Sequence, residues 1–109
     1  MRFWFIILPK LSANAMAIFP IILLRNKQQK QDKILINHEK IHLQQQLELL
    51  IFPFYFLYLL NYLINLVKYK NHYLAYFNIV FEREAYQYEK ELDYLPKRKP
   101  YNWINFYSA

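Results

Sequence analysis

The sequence predicts an α+β protein that is mainly α, with two or three helices and a small antiparallel sheet at its N-terminus. The absence of glycine among 109 residues disfavours tight hairpins and so favours helices. The hydrophobic fraction of 56% is sufficient for one packed core, and apolar residues recur at helical spacing from residue 34 onward. We therefore expect a single domain over residues 1–109.

Two short strands are predicted within the first 25 residues, which are apolar and rich in β-branched side chains. They cover residues 3–8 and 17–24. Pro20 lies inside the second run and cannot donate a backbone hydrogen bond. The second strand is therefore expected at an edge of the sheet or with a bulge.

The clearest helical pattern starts just after Asp32, a residue type that caps helix N-termini. Steps of three and four residues place His38, His42, Gln45 and Glu48 on one stripe. We expect a continuous helix over residues 37–51, ended or kinked by Pro53.

Further helices are predicted over residues 54–68 and from near residue 75 or 78 to about residue 94, with a polar joint between them. Pro96 is expected to end the last helix, because proline has no backbone N–H. The C-terminal tail carries aromatic residues that are expected to pack back on the body: Tyr101, Trp103, Phe106 and Tyr107.

Composition excludes several classes of function. The chain has no cysteine, so disulfides and thiolate chemistry are excluded, and no glycine, so phosphate-binding glycine loops are excluded as well. The net charge of +6 comes mostly from scattered lysines, and the basic cluster at residues 97–99 is too short to indicate nucleic-acid binding. No nucleic-acid partner is expected.

The longest apolar tract, residues 49–67, approaches the ~20 residues that cross a bilayer. Pro53, Asn61 and Asn65 interrupt it, which favours a buried or interfacial helix over a membrane span. The first apolar run ends at Pro9 and Lys10, too early for a secretory signal. We expect a cytoplasmic protein, with residues 49–67 as the segment through which it would associate with a membrane.

The stretch from Asn37 to His42 contains an HExxH motif. His38 and His42 lie one helical turn apart, so both imidazoles can reach one metal ion. Glu39 is placed beside them, where its carboxylate can reach a metal-held water and act as a general base. Two ordinary, partly buried histidines and a helix-favouring glutamate are the alternative interpretation.

A third protein ligand is needed to complete such a site. His72 is one candidate, although its polar surroundings favour a solvent-facing side chain. Glu82 is the better candidate, because Ala85 on the same face permits close approach of two helices. Glu84 points roughly 160° away from Glu82 on a helix and is expected to be exposed, as are Glu89 and Glu91.

At this point the chain resembles the gluzincins, in which HExxH is followed by Glu-x-x-Ala on another helix. The matching residues are His38, Glu39 and His42, then Glu82 and Ala85. The length is similar to that of the minigluzincins, minimal zinc peptidases known in latent form. The second block also resembles that of the CAAX prenyl proteases, although Tyr86 stands where those proteins usually have Asp.

The resemblance implies a zinc-dependent peptidase that acts on a peptide or protein substrate. His38, His42 and Glu82 would hold Zn²⁺, with Glu39 as the catalytic base and either Tyr76 or Tyr86 assisting. The strand over residues 17–24 would pair with the extended substrate. The tail around Trp103 would cover the cleft of a latent form. A non-catalytic, membrane-associated metal-binding protein is the alternative.

Overall fold

A computed structural model describes residues 2–107, in which three strands precede five helices, as predicted for a mainly helical α+β protein. The strands are β1 (Trp4–Ile7), β2 (Ala15–Ile18) and β3 (Ile21–Leu24). The helices are α1 (Lys33–Glu48), α2 (Phe52–Tyr69), α3 (His72–Phe77), α4 (Val80–Tyr88) and α5 (Tyr94–Lys97). Short 3₁₀ turns cover Lys27–Gln31 and Asn102–Phe106.

The sheet is mixed rather than antiparallel, and its strand order is β1-β3-β2. β1 pairs with β3 in parallel, and β2 pairs with β3 antiparallel. The predicted strand over residues 17–24 is wrong, because the chain turns at Phe19 and Pro20 and divides that run between β2 and β3. The edge strand beside the helices is consequently β2, while β3 is central.

α1 begins at its predicted cap, since the Asp32 side chain accepts a hydrogen bond from the Leu35 N–H at 3.1 Å. It ends at Glu48, three residues before the predicted end. Leu50 and Ile51 have positive φ angles of 58° and 72°, which stop the helical path and turn the chain. Pro53 lies in the first turn of α2, where a missing N–H costs nothing.

The predicted third helix is divided into α3 and α4, because Asn78 caps α3 and Ile79 is extended. The Asn61 side chain accepts a hydrogen bond from the Val80 N–H at 2.9 Å and thereby fixes the start of α4. Pro96 does not end a helix as predicted. It lies within the single turn of α5, in which early residues need no N–H donor.

α1 contacts both the sheet and α4. Leu43 of α1 packs with Ile22 and Leu24 of the sheet, whereas Ile41 packs with Ala85 of α4. The tail returns to the body as predicted, since the buried side chain of Trp103 packs in a cluster with other buried apolar residues, namely Phe54, Ile79, Val80 and Phe81.

No single helix in residues 2–107 is both long and apolar enough to cross a membrane. α1 and α2 reach that length and hydropathy only as a pair, and the path of the chain bends by 112° between them. α2 is also not a buried helix, because Phe54 and Asn65 are its buried residues and most of its other apolar side chains face outward.

Candidate metal centre

Three buried side chains from two helices meet at one point. His38 Nε2 and His42 Nε2 of α1 are 3.2 Å apart, and Glu82 Oε1 of α4 lies 3.1 Å from the first and 3.0 Å from the second. Each residue is at most 6% exposed. The three residues that the sequence analysis predicts as ligands therefore lie together in the fold, and they could hold a metal ion.

The helices that carry these ligands are fixed by side-chain bonds at their ends. The Asn37 amide donates to the backbone carbonyls of Glu89 and Glu91, at 2.8 and 3.0 Å, and so ties the chain that follows α4 to α1. Ala85 is fully buried against α1, so its small side chain allows the two helices to approach. This packing is what carries Glu82 to the histidines.

Outer contacts determine which ring nitrogen of each histidine carries a hydrogen. His38 Nδ1 lies 2.8 Å from Glu89 Oε1, an acceptor when ionised, so Nδ1 donates. His42 Nδ1 lies 2.8 Å from Gln45 Oε1, whose amide nitrogen already donates to Phe81 O and to Glu84. When each imidazole is neutral, its Nε2 therefore carries a lone pair directed at the same point as Glu82 Oε1, so three acceptor atoms would face a bound cation.

The electrostatics also favour positive charge at this point. Burial works against a charged His42, but the attraction and hydrogen bond of Glu82 outweigh it and raise the pKa of His42 to about 9. Burial likewise works to raise the pKa of Glu82, yet attraction and hydrogen bonds from both histidines lower it well below its usual range. Glu82 is thus ionised, and a cation beside it is stabilised.

Tyr58 and Glu89 contact the ligands directly, and sequence reasoning missed both. The Tyr58 hydroxyl donates to Glu82 Oε2 at 2.6 Å, which leaves Oε1 to face the histidines. The prediction that Glu89 is solvated is wrong, because it binds His38. Glu89 lies seven residues after Glu82, two helical turns along the same face, so a spacing signal was present. Tyr58 comes from another helix and had no such signal.

Glu39 lies next to the ligands but does not share their point of convergence. It is 7% exposed and lines two cavities, of about 400 and 420 Å³. Burial is the largest influence on its carboxyl and raises its pKa, because a charged form is poorly solvated there. Within residues 2–107 its carboxylate has no hydrogen-bond partner, so it is available to a molecule in the cavities.

The two cavities share His38, Glu39 and Tyr76 in their walls, so they adjoin at these residues beside the candidate site. The first is lined mainly by Ala15, Met16 and Ala17 of β2 and by Phe54, Tyr55 and Tyr58 of α2. Tyr86 lines only the second, where its hydroxyl lies 3.0 Å from that of Tyr76. Of the two tyrosines, Tyr76 is the one that reaches both cavities.

Glu84 is not exposed, contrary to prediction, but fully buried. It faces away from Glu82 as expected, but the tail covers that side of α4. Arg98 donates to Glu84 at 3.0 Å and to both carboxylate oxygens of Glu48 at 2.7 and 3.0 Å. Burial works to raise the pKa of Glu84, and hydrogen bonds from Arg98, Tyr94 and Gln45 lower it overall. This network ties the tail to α1 and α4.

His72 is exposed, as predicted, and bonds to the Tyr62 hydroxyl at 2.8 Å, away from the ligands. Glu91 is also exposed, as predicted. As far as Tyr107, the tail does not cover the cleft, because no described residue after Glu89 lines either cavity. No family model, curated protein or solved structure matches this chain.

Proposed function

We propose that this protein is a small zinc-dependent metallopeptidase that hydrolyses peptide bonds. The observation that carries the proposal is the meeting of His38 Nε2, His42 Nε2 and Glu82 Oε1 beside a carboxylate, Glu39, that faces a cavity. Ligand atoms around a tetrahedral zinc with bonds of about 2.0–2.1 Å stand roughly 3.3–3.4 Å apart. The separations of 3.0–3.2 Å are close to that value.

The donor set supports zinc over harder cations. Two imidazoles and one carboxylate suit zinc, whereas magnesium and calcium prefer ligands that are all oxygen. Both imidazoles are oriented by acceptors on their far nitrogens, Glu89 and Gln45, which is the usual support of metal-binding histidines. In such a site zinc lowers the pKa of water and polarises a carbonyl.

The residues of this chain would perform the proton transfers. The Glu39 carboxylate would accept a proton from the attacking water and pass it to the leaving amine nitrogen. Its raised pKa suits both steps, because a carboxylate of raised pKa is a stronger base toward the attacking water, and its protonated form then gives the proton to the amine nitrogen as the C–N bond breaks. Tyr76 is the candidate to donate a hydrogen bond to the developing oxyanion, because it lines both cavities.

The cleft supports an extended substrate. Glu39 lines both cavities, so an extended chain that occupied them would pass beside its carboxylate. The edge of β2 is only partly open to such a chain, because the Ala17 carbonyl already accepts from Gln46 at 2.9 Å and from Tyr55 at 3.2 Å.

The test compares the wild-type chain with Glu39→Gln, using zinc content, circular dichroism and hydrolysis of an unfolded protein and a peptide library. Glu91→Gln, at an exposed carboxylate, is the matched control. We expect Glu39→Gln to keep its fold and zinc while hydrolysis falls by ~10²–10⁴, the usual contribution of a general base. Zinc binding without hydrolysis in the wild type would favour the non-catalytic metal protein. The full chain is the correct sample, because removal of the tail would take Trp103 from the core.

A further inference from the structure

The outer face of α2 is apolar and has no partner within the described part of the chain. It consists of side chains at helical spacing that are 44% to 82% exposed: Phe52, Phe56, Leu59, Leu60, Leu63, Ile64 and Val67. A surface helix normally turns its apolar stripe toward the core and its polar stripe toward water. α2 carries apolar side chains on its outer face as well as on its inner face, where Phe54 packs in the core, and exposed apolar surfaces of this extent mark interaction sites.

The charge around this face has one sign. None of the eight Asp and Glu residues lies between Leu49 and Phe81, while two exposed lysines, Lys68 and Lys70, stand at the end of α2. Lys68 lies beside the apolar stripe on the helix, so its ammonium can reach headgroups while its stem stays on apolar surface. A surface that combines an apolar stripe with cations and no carboxylate is complementary to an anionic bilayer.

The other half of the bent helix pair does not join this surface. α1 exposes two large apolar side chains, Ile34 and Leu47, which stand near its opposite ends, so it has no apolar stripe to offer to lipid. The bend of 112° also directs α1 away from the line of α2. Of the two helices, α2 alone is therefore suited to lie along a membrane surface.

We propose that the outer face of α2 docks on the surface of an anionic lipid bilayer, with α2 lying in the plane of the interface and not crossing it. The inner face of the same helix carries Phe54 and Tyr58 to the candidate metal centre, so docking leaves that centre on the protein side of α2. This inference does not depend on the proposed peptidase activity.

The experiment synthesises the full chain in a cell-free system with vesicles of phosphatidylcholine, with or without phosphatidylglycerol, and follows flotation on a density gradient. We expect flotation with the anionic vesicles, much weaker flotation with phosphatidylcholine alone, and release by alkaline extraction. A higher salt concentration is expected to weaken the binding to anionic vesicles, because it screens the attraction between the lysine ammonium groups and the lipid phosphates.

The double variant Phe56→Ser/Val67→Ser is expected to lower the vesicle partition coefficient by about tenfold or more, since each buried apolar side chain contributes to interfacial binding. Trp4→Ser/Ile104→Ser removes two exposed apolar residues elsewhere and should leave partitioning unchanged. Lys68→Gln/Lys70→Asn should lower anionic binding by roughly fivefold per lysine. Lys10→Gln/Lys27→Gln, with the same change of net charge, should have a smaller effect.

Several results would overturn the proposal. These are the absence of flotation, equal binding to both vesicle types, equal loss in a variant and its control, and retention after alkaline extraction, which indicates a membrane span. A vesicle-free dimer that Phe56→Ser/Val67→Ser dissociates would assign the face to a second copy instead.

Discussion

Helices α1 and α2 follow one another in the chain and depart from ordinary amphipathic design in opposite directions. α1 buries six polar or charged side chains: Asn37, His38, Glu39, His42, Gln45 and Gln46. α2 buries only Phe54 and Asn65 and exposes a stripe of apolar residues. A buried polar group destabilises the fold unless it is hydrogen-bonded. An apolar stripe contributes no hydrophobic stabilisation while it is exposed to water, and does so only when another surface covers it.

The contrast separates structural from functional polar groups. Asn37, Gln45 and Gln46 of α1 have hydrogen-bond partners inside the fold. His38 and His42 direct their Nε2 atoms to a common point, and Glu39 lines a cavity, so these groups are arranged for a ligand. In α2 the apolar side chains of the outer face have no partner inside the described fold, so we infer that their partner is another molecule.

The largest effect is expected at Arg98, which joins α1 to α4 and the tail through Glu48 and Glu84. Arg98→Met would leave both buried carboxylates without their cation, and we expect a loss of about 3–5 kcal/mol in the free energy of unfolding. Urea denaturation measures it. Lys97→Met, at an exposed neighbour, is the control and should change stability by less than about 0.5 kcal/mol. A comparable loss in the two variants would show that this network does not hold α1 in place.

The two faces of α2 are compared directly by Phe54→Ala and Phe56→Ala. Phe54 is 3% exposed and packs in the core, whereas Phe56 is 68% exposed. We expect a loss of about 3–5 kcal/mol for Phe54→Ala and less than about 0.5 kcal/mol for Phe56→Ala. Thermal and urea unfolding of the two variants give the difference. If Phe56→Ala proved as costly, the outer face would be covered in solution.

A smaller effect is expected when Glu89 is changed to Ala, which removes the acceptor. Glu89 orients His38 through Nδ1, and loss of such support typically lowers metal affinity by about 10–100-fold. Competition titration with a zinc chelator measures the affinity. Glu91→Ala, two residues along and exposed, should bind zinc like the wild type. Equal affinities in all three proteins would mean that Glu89 does not orient the histidine.

The parts of the molecule that depend on neighbours in sequence could be predicted. The start of α1, the shared face of His38 and His42, and the placement of Gln45 beside His42 all follow from helix geometry. The approach of Ala85 to α1 also followed from a short-range pattern, the small residue three positions after Glu82.

The parts that depend on distant segments could not be predicted. Glu84 is buried because the tail packs over it and Arg98 of the tail binds its carboxylate. No pattern in the sequence around Glu84 predicts this contact. The parallel pairing of β1 with β3 requires β2 to occupy the far edge, and strand periodicity alone does not choose between such arrangements. Helix breaks at Leu50 and Ile51 involve residues that rarely adopt positive φ, so sequence preference pointed the other way.

If His38, His42 and Glu82 form one metal centre, the zinc content of the protein must depend on Glu82. The full chain would be loaded with zinc, dialysed and analysed by mass spectrometry beside Glu82→Gln and Glu84→Gln. We expect stoichiometric zinc in the wild type and in any folded Glu84→Gln protein, and its loss from Glu82→Gln. Zinc retained by Glu82→Gln, or lost only from Glu84→Gln, would contradict it.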